Sequence, residues 1–138
     1  MIYLDSSALI KLVRREGGTA QLVRWLRRHP AQRLVSSTLV EVEVPRVLLH
    51  HAPSALPRVP AVLSRLYKVE IDATVRSIAS AFPDPSLRTL DAIHLATAQL
   101  LAANSGVRLD AFVAYDRRLL AAASAIGIRV ASPGIKGP

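Results

Sequence analysis

The chain has 138 residues, 51% of them hydrophobic and 20% charged, which suits a compact core and excludes a disordered polyelectrolyte. It has no cysteine, so a disulfide scaffold and a thiolate metal site are excluded, and a reducing compartment is permitted. The net charge of +8 favours polyanionic partners, while six aromatics are too few for a base-stacking platform.

Residues 1–4 (MIYL) predict a short buried strand. This start lacks the basic region of a secretory signal and carries Asp5 where an apolar run would stand. The longest apolar stretches, 90–103 and 119–128, are broken by His94 and Gln99 or are too short to cross a bilayer, so a cytoplasmic protein with no membrane contact is expected. A helix follows over 6–13, ended by Gly17 and Gly18. Thr19 is the expected cap of a second helix, 20–29, with Leu22, Val23, Trp25 and Leu26 inward and Arg24, Arg27 and Arg28 solvated.

Residues 33–36 predict the second strand, and Ser37 or Thr38 then caps a helix running to 51. Pro53, Pro57 and Pro60 mark a turn before a helix through 67. A strand at 69–71 and a helix at 73–82 come next. Pro83 and Pro85 break the chain ahead of a long helix, 89–104, apolar nearly all round and therefore expected to be buried. A strand at 111–115, a helix at 117–126 ended by Gly127, and a strand at 128–130 complete the pattern. The tail, 131–138 (ASPGIKGP), is expected to be flexible.

Strands alternating with helices predict a three-layer α/β/α domain with a central parallel sheet, one domain spanning 1–138. Such sheets bind ligands beyond the carboxyl ends of their strands. Fifteen of the eighteen basic residues are Arg, and their scatter fits solvated helix faces as well as an RNA track.

Only ten residues are acidic, and their placement is uneven. Asp5 and Asp116 each follow a strand and precede a helix, so either could serve simply as a helix cap. Asp91 lies in the first turns of an apolar helix for which Thr89 is the better cap; a charge there requires a metal or an ion pair, such as one to Arg88. Residues two apart face different sides of a helix, so Glu41 and Glu43 are separable. Thr38 to Glu41 matches a capping box, which leaves Glu43, between Val42 and Val44, for the pocket. Hard cations such as Mg²⁺ or Mn²⁺ take oxygen ligands, and clustered carboxylates repel one another without one. His94, three residues after Asp91, fits packing inside a buried helix better than a ligand role. No zinc pattern, phosphate-binding glycine loop or Gly-x-Ser-x-Gly elbow is present.

Four segments, YLDSSALIKL (3–12), SSTLVEVEVPR (36–46), LRTLDAIHLATA (87–98) and FVAYDRRLLAAA (112–123), together resemble the PIN-domain family, and within it the VapC-type toxins of toxin–antitoxin pairs. The resemblance covers essentially the whole chain. It implies a PIN fold with Asp5, Glu43, Asp91 and Asp116 as an acidic quartet around Mg²⁺ or Mn²⁺, hydrolysis of RNA phosphodiesters, a homodimer and a cognate antitoxin that blocks the pocket. Asp5 and Asp91 are the first choice as direct ligands, with Glu43 and Asp116 binding directly or through water. Ser6 and Ser7 fit the pattern as supports of Asp5. Two departures stand out: Ala114 replaces a hydroxyl residue frequent in the family, and Pro45 interrupts the helix carrying Glu43. Alternatives are a PIN nuclease of RNA processing without an antitoxin and an inactive nucleic-acid-binding module; a phosphatase of the DxD type fails because Ser7 stands two after Asp5.

Overall fold

The computed structural model describes residues 1–104 and 106–136. Its strands are β1 (Ile2–Leu4), β2 (Leu34–Ser37), β3 (Tyr67–Val69), β4 (Ala111–Val113) and β5 (Val130–Ala131). They form one parallel sheet in the order β3-β2-β1-β4-β5. The helices are α1 (Ser6–Val13), α2 (Thr19–Arg27), α3 (Val40–His51), α4 (Val59–Leu63), α5 (Ala73–Ala81), α6 (Thr89–Ala103) and α7 (Arg117–Ala125), with a 3-10 helix at Pro53–Arg58.

The three layers follow from the period of two along each strand. Ile2, Leu4, Ala111 and Val113 join α1 to α4 in one core; Tyr3, Val35, Phe112 and Ala114 join α6 and α7 in the other. Strands buried on both faces have no polar face, which is why their sequences run continuously apolar. Among the described residues, no helix is long and apolar enough to cross a membrane.

Several expected details are corrected. Thr19 is the first residue of α2, whose N-cap is Gly18 at φ +90; the Thr19 hydroxyl instead donates to the Lys11 carbonyl and accepts from the Glu16 amide, closing the preceding loop. The capping box of Glu41 does not form. Residues 38 and 39 make a turn in which the Leu39 amide donates to Ser37 Oγ, so α3 starts at Val40 and leaves Glu41 exposed in its first turn. Pro45 lies inside α3, which nonetheless continues to His51. Thr89 is likewise inside α6, where Arg88 is the N-cap and no side chain caps.

Strand β3 lies two residues before its expected place. Asp72 caps α5 through the Val75 amide, and residues 70–72 are consumed in joining the sheet to that cap. The last strand moves later because the Ile128 amide bonds back to the Ala123 carbonyl, binding residue 128 to the end of α7. The tail is partly anchored: Ala131 pairs with Val113, and Tyr115 Oη donates to the Pro133 carbonyl at 2.8 Å. Gly137 and Pro138 lie outside the described residues.

Candidate active site

Sheet order reverses between β1 and β4, which places a crevice at their carboxyl ends. Asp5 opens it. Its amide donates to the Val113 carbonyl across the two strands, and its Oδ1 caps α1 through the Ala8 amide at 3.0 Å. Ser7 Oγ donates to the same Oδ1 at 2.6 Å and accepts from the Tyr115 amide at 3.0 Å. One serine thus ties the ends of both strands together. Ser6 makes no side-chain hydrogen bond among the described residues, so of the two only Ser7 orients Asp5.

Capping occupies one oxygen of Asp5, not both; Oδ2 has no hydrogen-bond partner among the described residues. The carboxyl is buried, and its pKa is pushed up to about 6, chiefly by desolvation, with the nearby Glu43 charge adding and His94, Ser7 and Ala8 opposing. A charge so placed lacks a counter-cation.

Across the crevice, Asp116 repeats the pattern. Its Oδ1 accepts from the Arg118 and Leu119 amides at the start of α7, which leaves Oδ2 to Arg88 Nη2 at 3.3 Å. Arg88 also reaches Asp91 Oδ2 through Nε at 3.5 Å. The ion pair weighed for Asp91 therefore exists, and it is shared. Burial raises the Asp91 pKa first and the neighbouring Asp116 second, against the lowering effect of Arg88.

The helix α6 presents one more group to the site. His94 is fully buried, and its Nε2 donates to Glu43 Oε1 at 2.6 Å while Nδ1 meets Tyr3 Oη at 2.7 Å. Packing alone does not describe it. Because a carboxylate only accepts, the hydrogen of that bond lies on Nε2, while the direction of the Nδ1–Tyr3 bond follows the imidazole tautomer. Burial keeps the Tyr3 pKa well above its ordinary value, so the phenol retains its hydrogen. The chain Tyr3–His94–Glu43 thus runs from the sheet to the pocket, with Tyr3 stacked on Phe112 at 5.1 Å. Its sequence signal was a histidine one helical turn after Asp91 in an apolar segment.

The four expected carboxylates occupy one neighbourhood, linked by His94 on the inside and Arg88 on the outside. Among the described residues, no three acidic or imidazole groups stand close enough to form a ready metal cage. The donor chemistry nevertheless fits a hard divalent cation: the donors are carboxylate oxygens, the buried Asp5 has a free oxygen, and Asp91 and Asp116 repel each other. A cleft of about 380 Å³ at the opposite ends of the strands, lined by Trp25, His29 and Asp110, offers no such excess. Asp110 there is already matched by Arg108 at 3.1 Å and the Met1 nitrogen at 3.0 Å.

A family model described as PIN domain matches residues 2–125. The protein named Ribonuclease VapC35 of Mycobacterium tuberculosis is 50% identical over 134 residues, covering 97% of this chain and 98% of that relative. Ribonuclease VapC46 of the same organism is 44% identical over 133 residues, covering 96% and 97%. Among solved structures, the crystal structure of PAE2754 from Pyrobaculum aerophilum superimposes with a TM-score of 0.60 over 94% of this chain and 81% of that one; at 21% identity this likeness speaks for the fold alone.

Proposed function

The chain belongs to the PIN-domain family, and from that premise we propose that it is a VapC-type endoribonuclease, the toxin of a toxin–antitoxin pair. The observation that carries this reading is near-full-length identity of 50% to a ribonuclease of that type. The carboxylate crevice supplies a place for the chemistry.

In this reading Asp5 and Asp91 would hold Mg²⁺ or Mn²⁺, with Asp116 and Glu43 binding directly or through water. When bound, such an ion polarises phosphate oxygens and lowers the pKa of an attacking water. The protein's own residues provide orientation. Ser7 and the α1 cap fix Asp5, and His94 holds one oxygen of Glu43, leaving the other without a hydrogen bond among the described residues. Basic side chains at the mouth, Arg88, Arg117 and Arg118, supply the charge that an RNA backbone seeks. The protein acts in the cytoplasm as a homodimer, and a cognate antitoxin controls it by covering the crevice; a guanidinium is the simplest group to neutralise these carboxylates.

Purified protein, incubated with RNA with and without Mg²⁺, tests the activity; cleavage should require the ion. Expression of the chain alone in bacteria should arrest growth, and co-expression of a short neighbouring gene product should relieve it. Harmless high-level expression would remove the toxin reading and leave an RNA-processing nuclease.

A further inference from the structure

Arg88 stands where the site's own logic wants a cation. It bridges Asp91 Oδ2 at 3.5 Å and Asp116 Oδ2 at 3.3 Å, and the latter is the oxygen that the α7 cap leaves free. Both distances exceed the roughly 2.7–2.9 Å of a tight charge-assisted bond. The side chain is 72% exposed, and exposed ion pairs hold weakly. Its residue is the N-cap of α6, but no side chain caps that helix, so Arg88 has no capping duty.

We propose that Arg88 and the divalent cation take turns on the same two carboxylates, and that Arg88, once displaced, binds the phosphate backbone of the RNA. This rests on the metal-dependent nuclease reading above. Two monodentate contacts from a long, exposed side chain are readily exchanged for a doubly charged ion at the same oxygens. Displacement leaves the guanidinium at the rim of the crevice with no remaining partner. The next anion to arrive there is a substrate phosphate, whose geometry the planar fork matches. Arg88 therefore weakens metal binding in the resting protein and strengthens RNA binding in the loaded one, coupling the two.

The test compares the full-length protein with Arg88→Ala and Arg88→Lys. Mn²⁺ binding is first measured by calorimetry without RNA. Arg88→Ala should bind Mn²⁺ about two- to fivefold more tightly, as expected for loss of weak exposed pairs, with Arg88→Lys between the two. At saturating Mn²⁺, Arg88→Ala should raise KM for a single-stranded RNA several-fold with kcat nearly unchanged. The dependence of log kcat/KM on log salt should become shallower by about 0.7, the share of one phosphate contact. Arg88→Lys should recover most of the KM loss. Equal or weaker Mn²⁺ binding by Arg88→Ala overturns the exchange, as does a fall in kcat at constant KM. Absence of Mn²⁺ binding by every form overturns the metal reading itself, and this proposal with it, whereas equal binding by all forms removes Arg88 alone.

Discussion

Asp5 and Glu43, at the inner end of the crevice, are held by hydroxyl, amide and imidazole donors alone, whereas Asp91 and the Oδ2 of Asp116, at its mouth, share one exposed guanidinium, the other Asp116 oxygen being held by the α7 amides. The inner pair is fixed and dehydrated. Its partners are side chains and a backbone amide anchored in α1 and α6, so its geometry is set before any ligand arrives. The outer pair is matched by a long side chain that solvent reaches. Burial without a counter-cation is the more costly arrangement, and it is the inner end that accepts that cost. In the proposed metal-bound state the rigid half would define the cation's place and the exchangeable half would admit it.

The strongest way to break this contrast is Asp5→Asn. Asparagine keeps the shape and still caps α1, but removes the buried charge. RNA cleavage should fall to background, as it should in Asp91→Asn. Stability should move the other way. The pKa of Asp5 in the folded protein is about 6, above its ordinary 3.8, so the folded state binds the proton more tightly than the unfolded chain. The wild type therefore loses stability as pH rises from about 4 to about 6, by about 3 kcal/mol in total for a buried group. Urea denaturation without added metal should find Asp5→Asn more stable than wild type at pH 7, with the two converging near pH 4. A destabilised Asp5→Asn at pH 7 would mean that the inner half is not short of a cation.

Metal addition sharpens the same point. An ion that binds only the folded protein stabilises it by about 2.7 kcal/mol at one hundred times its Kd. Thermal unfolding with Mg²⁺ or Mn²⁺ should show that gain in the wild type and a smaller one in Asp5→Asn and Asp91→Asn. An unchanged melting curve at saturating metal would leave the carboxylates without their proposed ligand.

The support beneath the inner half should matter next. His94→Leu removes the donor to Glu43 and should lower activity about 10- to 100-fold, the usual consequence of losing a group that orients a metal-site ligand. His94→Gln, which retains an amide, should be less severe, and Tyr3→Phe milder still because His94 remains. Equal activity of His94→Leu and wild type at saturating metal would reduce His94 to packing.

The parallel sheet, the long buried α6 and the four carboxylates were legible because each leaves a local mark: continuous apolar runs, a helix apolar on all sides, and acids directly after strands or inside apolar turns. The caps of α2, α3 and α6 were misread: Thr19, Thr38 and Thr89 have the right chemistry, but Thr19 and Thr89 are the first residues inside their helices and Ser37 closes the turn before α3. Thr19 bonds instead to the carbonyl of Lys11, eight residues away. Residues 91 and 116, paired through Arg88, are still further apart, and so are His94 and its partners at 3 and 43. Contacts of that span are fixed by how the layers pack. No local pattern in the sequence records them.

The smallest expected effect belongs to Glu41→Gln, and it tests the contrast from outside. Glu41 and Glu43 share the first turn of α3, the same charge and nearly the same distance from the helix start. They differ in what they face. Glu41 is exposed and makes no capping bond, so the loss once expected for a broken capping box, about 1 kcal/mol, should not occur. Its remaining contribution is a negative charge near a helix N-terminus, worth only about 0.3–1 kcal/mol at low salt and less at physiological ionic strength. Glu41→Gln should therefore cleave RNA like the wild type and unfold within a few tenths of a kcal/mol of it. Glu43→Gln, which leaves His94 Nε2 facing an uncharged amide, should lose cleavage without unfolding. Assaying the two variants side by side holds charge, helix position and side-chain size constant and varies only the face. Equal loss of activity in both would trace the effect to the electrostatics of the helix start and would take Glu43 out of the inner half.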